Sequence, residues 1–159
     1  MSDLFSIRQA AQTRAETMIQ TRGDWPCRKG CSDCCHRLAS IPLVSRTEWE
    51  EIRGAIDALP PETAQARLAG IRDSATASRP FTCPLLDQPS GACMIYDVRP
   101  VECRTYGFSV ERERVLGCER IEAVAAEPSN LIWGNHETVE ADLRGLGPSA
   151  PLYEWLSAD

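Results

Sequence analysis

Apolar residues at helical spacing open the chain. They recur every three or four positions and are Leu4, Ile7, Ala11, Ala15, Met18 and Ile19. This spacing places them on one face of an amphipathic helix. The pattern fades near Gly23, just before Trp25-Pro26, where a helix is expected to end. We therefore predict a helix over roughly the first 22 residues.

Two further helices are predicted in the middle of the chain. Ser45 with Glu48 has capping-box spacing, and apolar residues then recur at Trp49, Ile52, Ile56 and Leu59 before Pro60-Pro61. Pro61 suits the first turn of the next helix, along which Ala64, Leu68 and Ile71 recur. The pair indicates a helical hairpin, inserted at residues 45–78.

The second half of the chain has a different texture. Short apolar runs at 81–86 and 93–96 flank the turn signal Pro89-Ser90-Gly91, which favours two short extended segments. Pro100 can begin a short helix that Gly107 ends. The last predicted helix has its apolar face at Ile132, His136, Val139 and Leu143, followed by an apolar tail with Tyr153, Trp155 and Leu156.

Length and charge narrow the class of protein. The chain has 159 residues, a net charge of -6 and no basic patch or run, so nucleic acid is not an expected partner. It has no apolar run long enough for a membrane span and no secretory signal, so we expect a cytoplasmic protein that binds no membrane. The expected fold is a small single domain, mainly α, with short β or irregular loops organised by metal. We divide it into an N-terminal helix at 1–24, a cysteine-rich metal-binding domain at 25–125, and a C-terminal helix and tail at 126–159 packed on the same domain.

Cysteine usage carries the chemical signal. Eight cysteines form two blocks, and in a reducing compartment such a number favours metal ligands over disulfides. The first block is Cys27, Cys31, Cys34 and Cys35, and the second is Cys83, Cys93, Cys103 and Cys118. Core packing gives no reason for four cysteines within nine residues. We therefore predict all eight as metal ligands, and His36 as a neighbouring or surface residue.

The adjacent pair Cys34-Cys35 is informative about the number of metal ions. Successive side chains diverge by about 100° in a helical turn and point to opposite faces in an extended chain. The two thiols therefore serve two metals, or two corners of a cluster, more easily than one ion. Eight thiolates match either two four-cysteine sites or one iron-sulfur cluster with additional thiols. The cofactor is accordingly a zinc ion or an iron-sulfur cluster.

Several segments in order resemble a known family. The stretches Cys27 to Cys35, Cys83 to Leu86, Gly91 to Tyr96 and Arg99 to Arg104 are similar to the YkgJ-type cysteine-cluster family, whose pattern is CxxCxxCC and whose members are described as zinc- or iron-chelating. The resemblance spans about residues 27 to 118. Here three residues separate the first two cysteines, and Ser32 stands where the family often has glycine. The resemblance implies metal chelation through these cysteines.

Two other functions stay open beside a metal-binding or redox module. The first is a metal- or cluster-dependent enzyme for redox or group transfer, whose cleft would be lined by Tyr96, Arg99, Arg104, Tyr106 and His136. The second is an adaptor with purely structural zinc, whose tail from Leu152 to Leu156 docks a protein partner. Neither the reaction nor the substrate follows from the residues.

Overall fold

The chain forms seven α-helices and seven short β-strands across residues 2–159, the part that this computed structural model describes. The helices are α1 (Leu4–Thr21), α2 (Arg46–Asp57), α3 (Pro61–Asp73), α4 (Val101–Thr105), α5 (Glu119–Ala125), α6 (His136–Arg144) and α7 (Leu152–Ala158). The strands are β1 (Leu43–Ser45), β2 (Leu86–Asp87), β3 (Ala92–Cys93), β4 (Ser109–Glu111), β5 (Arg114–Leu116), β6 (Gly134–Asn135) and β7 (Ser149–Pro151). The predicted small, mainly α domain with short strands is confirmed.

The helical hairpin forms around the predicted capping box. The Ser45 side chain accepts a hydrogen bond from the Glu48 amide, and the Glu48 carboxylate accepts one from the Ser45 amide. Helices α2 and α3 then pack with α7 around a core that includes Trp49, Ile52 and Ile71. The cap fixes where α2 begins because it satisfies amides that the helix leaves without partners.

Two smaller apolar clusters complete the interior. One joins the second half of α1, through Met18, to Trp25, Phe108 and Ile121. The other joins the first half of α1 to Val101 of α4, with apolar residues of α6 packed against it. Helix α1 therefore runs along the elements that carry the later cysteines, and contacts α4 most of all.

The short strands join distant parts of the chain. Strand β1 pairs antiparallel with β7, so that Leu43 lies opposite Pro151. Strands β2 and β3 form a small antiparallel pair in which Leu86 lies opposite Cys93. Strands β4 and β5 form a hairpin, and β6 adds in parallel to β4. These pairings hold the segments between the helices in place.

The second half of the chain differs from the predictions at one helix boundary and by one additional helix. The last predicted helix was expected to include Ile132, but α6 begins at His136 because the Asn135 side chain caps it by accepting a hydrogen bond from the Thr138 amide. Ile132 lies before this cap and is 74% exposed. The two short extended segments predicted at 81–86 and 93–96 form as the paired strands β2 and β3, which lie closer to the turn and are two residues long. The chain also forms a helix between β5 and β6, α5, which the apolar pattern does not predict.

The tail is a helix that packs into the core. Leu152 is 1% exposed, and Tyr153, Trp155 and Leu156 pack against the α2–α3 core. The Trp155 indole N–H donates to the Val44 carbonyl at 2.8 Å. The apolar side chains expected to dock a partner are therefore used within the molecule, and a partner for this tail stays a prediction. Among residues 2–159, no helix has the length and apolar character needed to cross a membrane.

Candidate metal centre

The eight predicted ligands are free thiols carried on short or irregular elements. Cys27 and Cys31 lie in the loop after α1, while Cys34 and Cys35 lie in a 3-10 helix at Cys34–His36. Cys83 precedes β2, Cys93 ends β3, Cys103 lies in α4 and Cys118 is the residue before α5. No disulfide joins any of them, so every sulfur is available as a thiolate ligand.

One set of thiols, which we name the first group, comprises Cys27, Cys31 and Cys118. Burial, together with the charges of Cys118 and Cys31, raises the pKa of the Cys27 thiol to about 12. The Arg120 guanidinium, which is also close to Cys31 and Cys118, opposes this rise. These mutual effects show that Cys27 and Cys31 of the first block lie near Cys118, the last cysteine of the chain.

A second set, the second group, comprises Cys35, Cys83, Cys93 and Cys103. Burial, together with the charge of Cys93, raises the pKa of Cys83 to about 11. The protein atoms crowded around Cys103 raise its pKa, although this residue keeps an exposed surface, and Cys83 and Cys93 contribute to the rise. The charges of Cys83 and Cys103 also raise the pKa of Cys35. Four thiols from four separate elements therefore share one neighbourhood.

Cys34 stands between the two groups. Its charge raises the pKa of Cys27 in the first group and of Cys83, Cys93 and Cys103 in the second. The Cys35 thiol donates a hydrogen bond to Cys34, which lowers the pKa of Cys34 and raises that of Cys35. The Cys34 thiol therefore ionises more readily than an isolated cysteine, because its neighbour stabilises the thiolate.

Backbone hydrogen bonds hold the second group together. The Cys83 amide donates to the Cys35 carbonyl at 2.7 Å, and Leu38 and Phe81 exchange two backbone hydrogen bonds beside it. The β2–β3 pairing then brings Cys93 alongside Leu86, three residues after Cys83. The fold thus brings together thiols from both sequence blocks, which are separated by the helical hairpin.

Gly107 makes room for the first group. A Cβ atom on this glycine would lie 2.4 Å from the Cys27 sulfur, and its φ of 87° disfavours other residues. Its amide donates to the Leu116 carbonyl at 2.6 Å, which brings the turn after α4 toward the residues that lead to Cys118. Close contact between this backbone and the Cys27 thiol therefore depends on the missing side chain.

Arginines support the loop between Cys93 and Cys103. Arg99 donates to the Tyr96 carbonyl at 2.9 Å, and Arg104 donates to the Arg99 carbonyl at 3.2 Å. The Arg99 guanidinium also lies 3.8 Å from the centre of the Tyr96 ring, and the Lys29 ammonium lies 4.8 Å from it. These cations bring positive charge next to a set of thiols that becomes anionic on ionisation.

The residues proposed for an enzyme cleft do not share one place. The loop just described contains Tyr96, Arg99 and Arg104. The pKa of Tyr106 is raised by burial and by the charges of Cys34, Cys118 and Cys27. His136 instead begins α6 and lines a separate cavity. Sequence reasoning had no signal for Gly107 as a contact of the first group, since only the tertiary fold brings it to Cys27.

The donor chemistry fits a metal, but the site is not preformed. Thiolates are the ligands that zinc and iron-sulfur clusters take in proteins. Among residues 2–159, however, no three Cys, His, Asp or Glu side chains stand in an arrangement that could hold a metal ion. The thiols are neighbours whose side chains must still turn toward a common centre.

Comparison with known proteins agrees with this chemistry. Residues 26–130, more than half of the chain, match the model of the CxxCxxCC family, described as a "putative zinc- or iron-chelating domain". The chain belongs to this family. The matched range holds all eight cysteines of the CxxCxxCC protein and both of its thiol groups. No curated protein and no solved structure matches the chain. Zinc or iron chelation is therefore the chemistry to which the family assignment leads.

Proposed function

We propose that the protein chelates metal in two neighbouring four-thiolate sites. The first site consists of Cys27, Cys31, Cys34 and Cys118, and the second of Cys35, Cys83, Cys93 and Cys103. The observation that carries this division is the pattern of charge effects. The charges of Cys31 and Cys118 act on Cys27, those of Cys83 and Cys93 act on Cys103, and the charge of Cys34 acts on members of both groups. Adding Cys34 to the smaller group gives four ligands to each site.

The position of Cys34 and Cys35 in a 3-10 helix supports this division. With three residues per turn, successive side chains diverge by about 120°. The Cys35 thiol faces Cys34 in this structure, so we infer that on metal binding the two sulfurs turn to different sides of the helix and serve two ions, which this divergence allows more easily than one tetrahedral ion. The adjacent cysteines would then join the two sites mechanically, since any rotation of the 3-10 helix moves both.

Zinc and iron-sulfur clusters both suit such sites. Zinc would supply structural cross-linking, and an iron-sulfur cluster would supply one-electron transfer. Four thiolates around a divalent ion leave a charge of about -2, and Lys29, Arg99 and Arg120 are placed to screen it. The eight free thiols also favour a reducing compartment such as the cytoplasm.

We further propose that residues 25–125 form the metal-binding domain, flanked by the helix at 1–24 and by the C-terminal segment at 126–159. The family match at 26–130 supports these boundaries closely at the start and within a few residues at the end. The insert at 45–78 carries no cysteine and contributes the α2–α3 core instead. Metal would then organise the cysteine loops on a scaffold that packs by ordinary apolar burial.

Anaerobic purification, followed by metal and sulfide analysis and a visible spectrum, tests the proposal. Two equivalents of zinc in colourless protein, or iron with sulfide in brown protein, would support it. Replacing Cys118 by Ser should remove the metal of the first site and spare the second, and Cys93→Ser should do the reverse. Protein with neither metal nor sulfide would contradict metal binding altogether.

A matched control separates ligand loss from general damage. His36→Ala removes an imidazole, a group of a type that can bind metal, from the position next to Cys35. Because His36 is exposed and belongs to neither thiol group, the metal content should stay unchanged. If Cys118→Ser and Cys93→Ser each abolish all metal while the His36 variant keeps it, the thiols form one shared centre. That outcome would overturn the two-site division while leaving chelation intact.

A further inference from the structure

The cavity lined by His136 lies apart from the thiols, between β1, α4 and α6. Its volume is about 710 Å³, which suffices for a small organic molecule. The walls combine apolar side chains, namely Leu43, Val139 and Leu143, with the carboxylate of Glu102. None of the eight cysteines lines it. The cavity is therefore a candidate binding site that the chelating function does not use.

Glu102 is the polar group that gives this cavity its character. One carboxylate oxygen, Oε2, accepts a hydrogen bond from the Leu43 amide at 2.8 Å. In the part of the chain that the structure describes, no Arg, Lys or His forms a salt bridge with Glu102, and its second oxygen has no hydrogen-bond donor. His136 lines the same cavity and its charge acts on Glu102, but it forms neither a hydrogen bond nor a salt bridge with this carboxylate. A half-buried carboxylate with one oxygen free of any donor favours a positively charged ligand.

Glu140 is the partner of the two basic side chains that line the cavity, His136 and Arg144. Glu140 lies 3.4 Å from Nε2 of His136 and 3.6 Å from a guanidinium nitrogen of Arg144. Arg144 and Glu140 are largely exposed, with side chains 68% and 48% accessible, so they form the rim. The unpaired charge in the interior of the cavity is therefore that of Glu102.

We propose that this cavity binds a small organic ammonium ion with a short apolar chain. The ammonium group would donate to the free oxygen of Glu102, and the chain would lie against Val139 and Leu143. A bare metal ion is disfavoured, because Glu140 is already paired with His136 and Arg144, which leaves Glu102 as the single free carboxylate of the cavity. An ammonium ion needs only a carboxylate and an apolar wall. This site is independent of the metal proposed for the cysteines.

Titration of the metal-loaded, ¹⁵N-labelled protein with n-butylammonium tests the proposal. We expect saturable amide shifts confined to α4, α6 and β1. Two control probes of equal length, neutral n-butanol and anionic butyrate, should bind at least about tenfold more weakly than n-butylammonium, since they offer no cation to the carboxylate. Equal binding of butanol, or shifts confined to the cysteine loops, would overturn the assignment.

Two charge-removing variants make the test specific. Glu102→Gln keeps an acceptor for the Leu43 amide and should weaken butylammonium binding about tenfold or more. The matched control is Glu137→Gln, which removes the same charge from α6 outside the cavity, where Glu137 faces Arg112 at 3.7 Å. This control should bind normally. Should Glu102→Gln unfold, Glu140→Gln at the rim provides the second variant, since it frees the His136 and Arg144 side chains beside the cavity and should also weaken binding of a cation. Normal binding by whichever of the two variants folds would refute the proposal.

Discussion

Glu48 offers the sharpest test of how the fold positions a ligand. Its side chain is fully buried, and its carboxylate joins two helices. One oxygen accepts from the Ser45 amide at 2.9 Å and closes the cap of α2, and the other accepts from the Val101 amide at 2.9 Å at the start of α4. Since α4 carries Cys103, this carboxylate links the helical scaffold to the second thiol group.

The cost of removing this side chain can be worked from its hydrogen bonds. Glu48→Ala leaves two buried amides without an acceptor, and each such amide costs about 1–3 kcal/mol, so the loss is about 2–6 kcal/mol. That is a large share of the stability of a domain of this size, which is about 5–15 kcal/mol. Glu48→Gln keeps one oxygen as an acceptor but turns its side-chain NH₂ group, a donor, toward the second backbone amide. We therefore expect a loss of about 1–3 kcal/mol in the free energy of unfolding.

Urea unfolding of the metal-loaded variants measures these losses, with the metal content of each recorded beforehand. The control is Glu50→Gln on the same helix, where the carboxylate is exposed and pairs only with Arg46 at 3.0 Å. This change should have little effect on the free energy of unfolding. If Glu48→Ala costs less than about 1 kcal/mol, the carboxylate does not hold α4 and the reasoning fails.

Three other changes test the thiol groups and the β-hairpin. Because the pKa values of Cys27 and Cys83 are raised to about 12 and about 11, these thiols are protonated near neutral pH and must release protons to bind metal. Apparent affinity in a chelator competition should therefore rise about tenfold or more per pH unit, and a flat profile would contradict thiolate ligation. Gly107→Ala should lower metal content at the first site, because its Cβ would meet the Cys27 sulfur, and normal content would show that the backbone yields. Replacing Arg112-Glu113 by Asn-Gly should raise the free energy of thermal unfolding by about 1 kcal/mol, because both residues have positive φ, and a loss of stability would refute this.

Local signals in the sequence predicted the helical scaffold well. Helix α2 begins at the expected capping box, and α3 begins at Pro61 as its fixed φ favours. The short helix between Pro100 and Gly107 also forms as expected. In each case the deciding residues lie within a few positions of the helix end, so the chain itself holds the information.

Long-range pairings were beyond the reach of the same reasoning. Strand β1 pairs with β7 at the opposite end of the chain, and each strand is too short to show an alternating pattern. The β4–β5 hairpin turns through Arg112 and Glu113, residues that rarely take positive φ, so its sequence lacks the usual turn signal. The tail was predicted only as an apolar segment, and packing of Leu152 and Trp155 on the core makes it helix α7.

The candidate site divides in the same way between local and long-range information. Adjacency of Cys34 and Cys35 is local, and it suffices to predict that their thiols serve different metals or cluster corners. The solitary cysteines carry no such signal, because a gap of many residues leaves their direction to the fold. The charge effects between thiols indicate which cysteines are neighbours in space, which the spacing cannot show. They place Cys118 near Cys27 and Cys103 near Cys83. If the two-site proposal holds, the 3-10 helix is the one element that both sites share, and exchanging Cys34 or Cys35 should then disturb the metal of the neighbouring site as well as its own.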